Sequence, residues 1–310
     1  MMIEVENLCK YYPETRAVDG LTFHVGEGEI FGFIGPNGAG KTTTIRILAT
    51  LIEPTGGSVR IGGLDVINQP EKVRSIVGFM PDYYGVYENV RVLEFLDFFA
   101  AAYKIPSSER KSIITDVMRL VDMESLASRM VSQLSKGMKQ RLCLAKTLLH
   151  DPKVLVLDEP ASGLDPWARI ELRVLLKELA AMGKTIFLSS HILTELSDVV
   201  SSVGIIEKGR LLAFGPMDRI AGHLTAAIRL EVQVAGRDAE AQEILTKHEL
   251  ALGVSRCGAG KFSVDFKGTR EEIRLIIKAL VDAEIPVTGL IEHTENLEDI
   301  FMRVTRGELG

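Results

Sequence analysis

The stretch "IFGFIGPNGAGKTTTIRILATLI", Ile30–Ile52, decides the fold. Its first five residues are an apolar run of strand length, and its last eleven carry apolar residues at helical spacing. Between them "GPNGAGKT", Gly35–Thr42, fits G-x-x-x-x-G-K-[ST]. A strand that turns through glycines into a helix presents unpaired backbone N–H groups at the positive end of the helix dipole, where a phosphate can be held. The alternative, a glycine-rich turn with a surface lysine, does not explain the strand before it and the helix after it. Gly35, Pro36, Asn37, Gly38, Ala39, Gly40, Lys41, Thr42 and Thr43 are therefore candidate nucleotide contacts. Lys41 is the cation for the β- and γ-phosphates and Thr42 an oxygen ligand for Mg²⁺.

Working outward, "KVLVLDEP" (Lys153 to Pro160) and "TIFLSSH" (Thr185 to His191) read as two more buried central strands. The first ends in two adjacent acids. Alone, Asp158 and Glu159 would be a solvated strand end. In an α/β core that also carries a P-loop, Asp158 becomes an Mg²⁺ holder and Glu159 the base that deprotonates an attacking water.

The order of elements predicts an α/β domain with a mostly parallel sheet over about residues 1–222. Strand signals disappear over about 86–150, where helical periodicity predicts an inserted helical subdomain. From 223 to 310 the pattern strand, helix, strand, strand, helix, strand predicts a small α+β unit of ferredoxin-like order, closed by a last helix in "NLEDIFMRVTRG".

Composition narrows the function classes. The 310 residues are 46% hydrophobic and 25% charged with a net charge of −6, so the chain reads as globular, and no nucleic-acid partner is expected. Cys9, Cys143 and Cys257 are far apart and odd in number, which suits reduced thiols rather than a disulfide framework or a zinc site. Glu4 and Glu6 stand where a signal peptide needs basic and then apolar residues, and no apolar run reaches the length of a membrane span.

With these motifs in place, the chain resembles the ATP-binding cassette (ABC) ATPases over nearly all of residues 1–222. "LSKGMKQR" is similar to their signature, usually LSGGQ, and "SGLDP" (Ser162 to Pro166) to their D-loop. "SSH" places His191 at the switch histidine, and "KYY" places Tyr12, or less directly Tyr11, at the aromatic that stacks on adenine. Read alone, His191 is a helix-start histidine, Tyr12 a packing aromatic and Ser135 an ordinary N-cap.

The resemblance implies ATP and Mg²⁺ as cofactors and a pair of cassettes, a homodimer, facing head to tail. Ser135, Gly137 and Asp165 of one would then close on the ATP held by the P-loop of the other. It further implies catalysis by Glu159 with His191 and Lys41, a separate membrane permease as partner, and a place at the cytoplasmic face of the membrane. The tail "NLEDIFMRVTRG" resembles that of export cassettes.

Two positions depart from the family pattern. Asp82, in "GFMPDYYGVYENV", stands where a glutamine usually ligates Mg²⁺; its carboxylate is also an oxygen ligand, one methylene shorter. Lys136 and Met138 replace a glycine and a glutamine in the signature, and the lysine is expected to add charge beside the phosphate. The reading weighed against a transporter subunit is a soluble ABC ATPase acting on nucleic acid or the ribosome. One cassette, no heptad arm, no cysteine cluster and an acidic balance speak against it.

Overall fold

The computed structural model describes residues 1–83, 85–192, 198–217, 219–220 and 228–293. The chain divides into two compact units, Met1–Met217 and Asp218–Gly310. The second unit thus begins a few residues before the position at which the sequence pattern restarts.

The first unit holds two sheets. β1 (Ile3–Tyr12), β2 (Thr15–Val25), β4 (Gly56–Ile61) and β5 (Leu64–Asp65) form an antiparallel sheet in the order β2-β1-β4-β5. β3 (Ile30–Ile34), β6 (Val77–Met80), β7 (Val154–Leu157), β8 (Thr185–Ser190), β9 (Ser202–Glu207) and β10 (Arg210–Pro216) form the second, in the order β10-β9-β3-β8-β7-β6. All pairs in it are parallel except β9 with β10.

The three strands read from sequence as central are central, and every residue of β3, β7 and β8 is buried. Both faces of a parallel sheet are covered, which is why these strands read as continuous apolar runs rather than alternating ones. Phe23 of β2 packs its ring within 5.5–6.0 Å of Phe31, Phe33 and Phe187, joining the antiparallel sheet to the parallel one. Burying each such ring is worth about 2–3 kcal/mol.

Helices fill the connections. α1 (Lys41–Leu48) follows the P-loop, and α2 (Pro70–Ile76) leads into β6. α3 (Val92–Ala102), α4 (Ser107–Leu120) and α5 (Lys136–Leu148) stand between β6 and β7. α6 (Pro166–Ala181) connects β7 to β8. Between residues 86 and 150 the described backbone makes no strand, only an isolated bridge between Arg91 and Met130.

The second unit, taken by itself, is β11 (Ile228–Val234), α7 (Asp238–Lys247), β12 (Ala251–Gly258), β13 (Lys261–Phe266), α8 (Ile273–Asp282) and β14 (Val287–His293). Its sheet is antiparallel throughout, in the order β12-β13-β11-β14. This is the ferredoxin-like arrangement, because the first and third strands lie side by side in the middle. Alternate residues Leu230, Val232 and Val234 of β11 and Phe262, Val264 and Phe266 of β13 bury themselves against Ile276 and Leu280 of α8 and Leu245 of α7. The last helix expected from "NLEDIFMRVTRG" lies outside the described residues.

Candidate functional site

Strand register assembles the site. Ile34 ends β3 opposite Ser190 of β8, so the P-loop and His191 leave the sheet side by side. Leu157 pairs with Leu188 of β8 on one side and with Met80 of β6 on the other. The two acids after Leu157, the histidine after Ser190 and Asp82 after Met80 are thus delivered to one edge of the sheet, the carboxyl ends of its parallel strands. Glu159, His191 and Asp82 line one hollow of about 410 Å³ with residues 37–43 of the P-loop and with Ser162, while Asp158 is buried beside it.

Two glycines make the loop possible. A Cβ on Gly35 would lie 2.2 Å from the carbonyl oxygen of Ile206, and Gly40 has φ 109° with the carbonyl of Ala17 in the way of a Cβ at 2.4 Å. Lys41, only 6% exposed, turns back into the loop: its Nζ donates to the carbonyls of Gly35 (2.7 Å) and Pro36 (3.3 Å) and stands 3.3 Å from Oε1 of Glu159.

Glu159 is held from three sides. Its other oxygen, Oε2, lies 2.7 Å from Nδ1 of His191. An ionised carboxylate can only accept, so this contact assigns the proton to Nδ1 and leaves Nε2 as the second ring nitrogen. Its backbone N–H donates to Oγ of Ser189 at 2.9 Å, and its φ of 48° is one that non-glycine residues seldom adopt.

Ser189 serves the neighbouring acid as well, donating to Oδ1 of Asp158 at 2.6 Å. Burial pushes the Asp158 carboxyl above its ordinary range; the hydroxyls of Ser189 and Thr42 pull it back, and the charges of Asp82 and Glu159 add to the rise. Ser189 is the residue that sequence reasoning missed. Its signal was present in "SSH", but a hydroxyl in a strand acquires this meaning only once β7 and β8 are known to be neighbours.

Other predicted residues are not brought to this hollow. Tyr12 is 45% exposed with Nζ of Lys10 5.3 Å from its ring centre, and the hollow is walled instead by Thr15 and Ala17 of β2. Ser135 caps α5, accepting from the N–H of Met138 at 3.3 Å, and Asp165 caps α6, accepting from the N–H of Ala168 at 2.9 Å. Ser135, Gly137 and Asp165 line a second hollow of about 650 Å³ in which no P-loop residue takes part. Lys136 lies across the D-loop: a Cβ on Gly163 would meet its Nζ at 1.9 Å.

Comparison with known proteins bears on this arrangement. A family model described as ABC transporter matches residues 18–162. The Nod factor export ATP-binding protein I of Paraburkholderia xenovorans (strain LB400) is 34% identical over 309 residues, which is 99% of this chain and 98% of that protein. The chain belongs to the ABC transporter ATP-binding proteins.

This cassette is also 41% identical over 220 residues to a bacitracin transport ATP-binding protein of Bacillus licheniformis, covering 71% of each. A solved ATP-binding subunit of an ABC transporter is 33% identical and superposes with a TM-score of 0.66, covering 73% of this chain and 94% of that one. The cassette binds and hydrolyses ATP as the ATPase subunit of an ABC transporter. No helix among the described residues is long and apolar enough to cross a membrane.

Proposed function

We propose that the cassette works as one of a pair that drives export through a separate membrane permease, with ATP held between the two cassettes. The observation that carries the pairing is the separation of two half-sites in one chain. Lys41, Glu159 and His191 converge at the P-loop, while Ser135 and Gly137 line another hollow. A signature that must meet a γ-phosphate finds none within reach of its own P-loop, so a second copy supplies it. Export as the direction, and a place against the inner membrane surface, rest on likeness to relatives named for export and transport.

Within each site the chain's own groups divide the work. Lys41 exchanges its loop carbonyls for phosphate oxygens. Glu159 accepts a proton from the attacking water, whose oxygen bonds to the γ-phosphorus as the bond to the bridging oxygen breaks and its electron pair leaves with ADP. His191, through Nδ1, orients that carboxylate, and Nε2 remains for the γ-phosphate. The likeness of their motifs supports Tyr12 as the adenine-stacking ring and Asp165 as a D-loop contact.

Mg²⁺ fits the donors present. Asp158, Thr42 and Asp82 offer only oxygens, and the buried, hydroxyl-bonded Asp158 gains from a cation beside it. Among the described residues no three His, Cys, Asp or Glu side chains form a metal cage. Mg²⁺ needs none, because it keeps waters and takes phosphate oxygens. When bound, it neutralises charge on the β- and γ-phosphates.

Purifying the tagged cassette from mild detergent tests the proposal. A polytopic membrane protein should come with it, and a cassette that instead purifies with nucleic acid and no membrane protein would refute the transport reading.

A further inference from the structure

A cleft of about 350 Å³ opens between α5, α6 and the ends of β6 and β7, apart from the P-loop hollow but sharing Gly137, Arg141, Leu164 and Trp167 with the hollow that Ser135 lines. Its walls are apolar: Met80, Leu144, Leu157, Leu164, Ile170 and Leu175. Its size falls in the range of pockets that hold small molecules. Its rim is braced by Arg141, which donates to Oδ2 of Asp122 at 3.4 Å and pairs with Glu171, and by Trp167, whose Nε1 donates to Glu171 at 2.9 Å.

One polar side chain lines this cleft from within. Gln140 is 2% exposed, and neither Nε2 nor Oε1 of its carboxamide has a hydrogen-bond partner among the described residues. Buried polar groups in folded proteins are nearly always paired, and leaving an amide unpaired on both its donor and its acceptor side is costly. Gln140 belongs to the wall of the cleft, so the cleft combines an apolar box with a side chain whose donor and acceptor are both unused, buried from solvent until the side chain turns toward a ligand.

We propose that the cleft binds an uncharged, mostly apolar small molecule bearing an amide edge, an adjacent N–H and C=O as in a lactam or carboxamide, which pairs head to head with Gln140. An anionic ligand does not suit it: the one cation among its described lining residues, Arg141, is already paired with Asp122 and Glu171, and Glu178 adds a further acid. The cleft also touches elements that carry residues of the two ATP half-sites. Gln140 lies in the helix opened by Ser135, Met80 two residues before Asp82, and Leu157 directly before Asp158. A molecule wedged there holds α5 against the strands that carry the acids. Its effect on ATP turnover rests on the pairing proposed above, whereas its binding does not.

The chain carries a single tryptophan, and Trp167 lines the cleft, so its fluorescence reports occupancy. Isoquinolin-1-one, a flat lactam, and isoquinoline, the same ring outline without the N–H and C=O edge, are titrated into the full chain. The lactam should bind at least about tenfold more tightly, the value of a well-made pair of buried hydrogen bonds. In Gln140→Leu, which keeps the bulk and removes the amide, the two probes should bind alike.

Val174→Phe fills the cleft from its exposed edge, where Val174 is 52% exposed and a larger ring leaves the fold intact; it should weaken both probes. The proposal is overturned if the lactam has no advantage in the wild-type chain, if its advantage survives Gln140→Leu, if Val174→Phe leaves binding unchanged, or if neither probe alters Trp167. In that last case Gln140 is paired by water alone.

Discussion

Glu159→Gln separates two jobs that one carboxylate performs. The amide keeps the shape and still accepts from Lys41 or from Nδ1 of His191, so the hollow should stay assembled. What disappears is the capacity to take a proton, which is worth about 10²–10⁴ in rate for a positioned base. The lost charge has a second effect. A unit pair at 3.3 Å, the separation of Lys41 and Glu159, has a gross attraction of about 5 kcal/mol at an effective dielectric constant near 20.

Desolvation offsets most of that gross figure, leaving about 1 kcal/mol by which Glu159 competes with phosphate for the lysine. The variant should therefore release phosphate about a thousandfold more slowly and bind ATP about fivefold more tightly. Phosphate release at saturating Mg-ATP and equilibrium binding of ATP measure the two effects separately. Turnover within about tenfold of wild type would remove Glu159 as the base, and unchanged or weaker ATP affinity would refute the competition for Lys41.

Three further outcomes follow from the same geometry. Mixing Ser135→Arg with Lys41→Ala places both lesions on one composite site and leaves the other whole, so the mixture should bind ATP when neither parent does; a mixture no better than its parents would return Ser135 to a plain helix cap. Asp82→Ala should raise the Mg²⁺ concentration needed for half-maximal ATPase activity and Asp82→Gln should keep substantial activity, whereas an alanine variant that matches wild type across the titration removes Asp82 from the metal shell. Because burial raises the Asp158 carboxyl, its contribution to stability is complete below the unfolded value and is lost as pH rises through the native one. In chelator-containing buffer Asp158→Asn should therefore gain in denaturation midpoint over wild type between about pH 4 and neutrality, and a pH-independent difference would show that burial does not govern this group.

Local spacing made much of this molecule readable. The P-loop announces itself because strand, glycines, lysine and helix start fall within a dozen consecutive residues, and β7 and β8 do so because strands buried on both faces have no polar alternation to hide them. The antiparallel sheet of β1, β2, β4 and β5 was harder to read. In "TRAVDGLTFHV" polar and apolar residues mix, and the strand's place depends on pairing with β1 rather than on its own pattern.

The dual role of Ser189 and the position of Lys136 over Gly163 were likewise invisible, since each depends on which distant segments become neighbours. The lysine was expected to add charge beside the phosphate. Within its own chain it lies against the D-loop, filling the space a side chain at Gly163 would need.

The backbone of Glu159 sets stability against activity at a single residue. Holding a side chain with a Cβ at φ 48° costs about 1–2 kcal/mol relative to glycine, which meets no such penalty. A cassette selected only to resist heat or denaturant would drift toward glycine or asparagine at this position and become a sturdier protein with no base. Thermal resistance and turnover are therefore expected to trade against each other here, and a library sorted for folding alone should lose its ATPase at position 159 before the rest of the hollow decays.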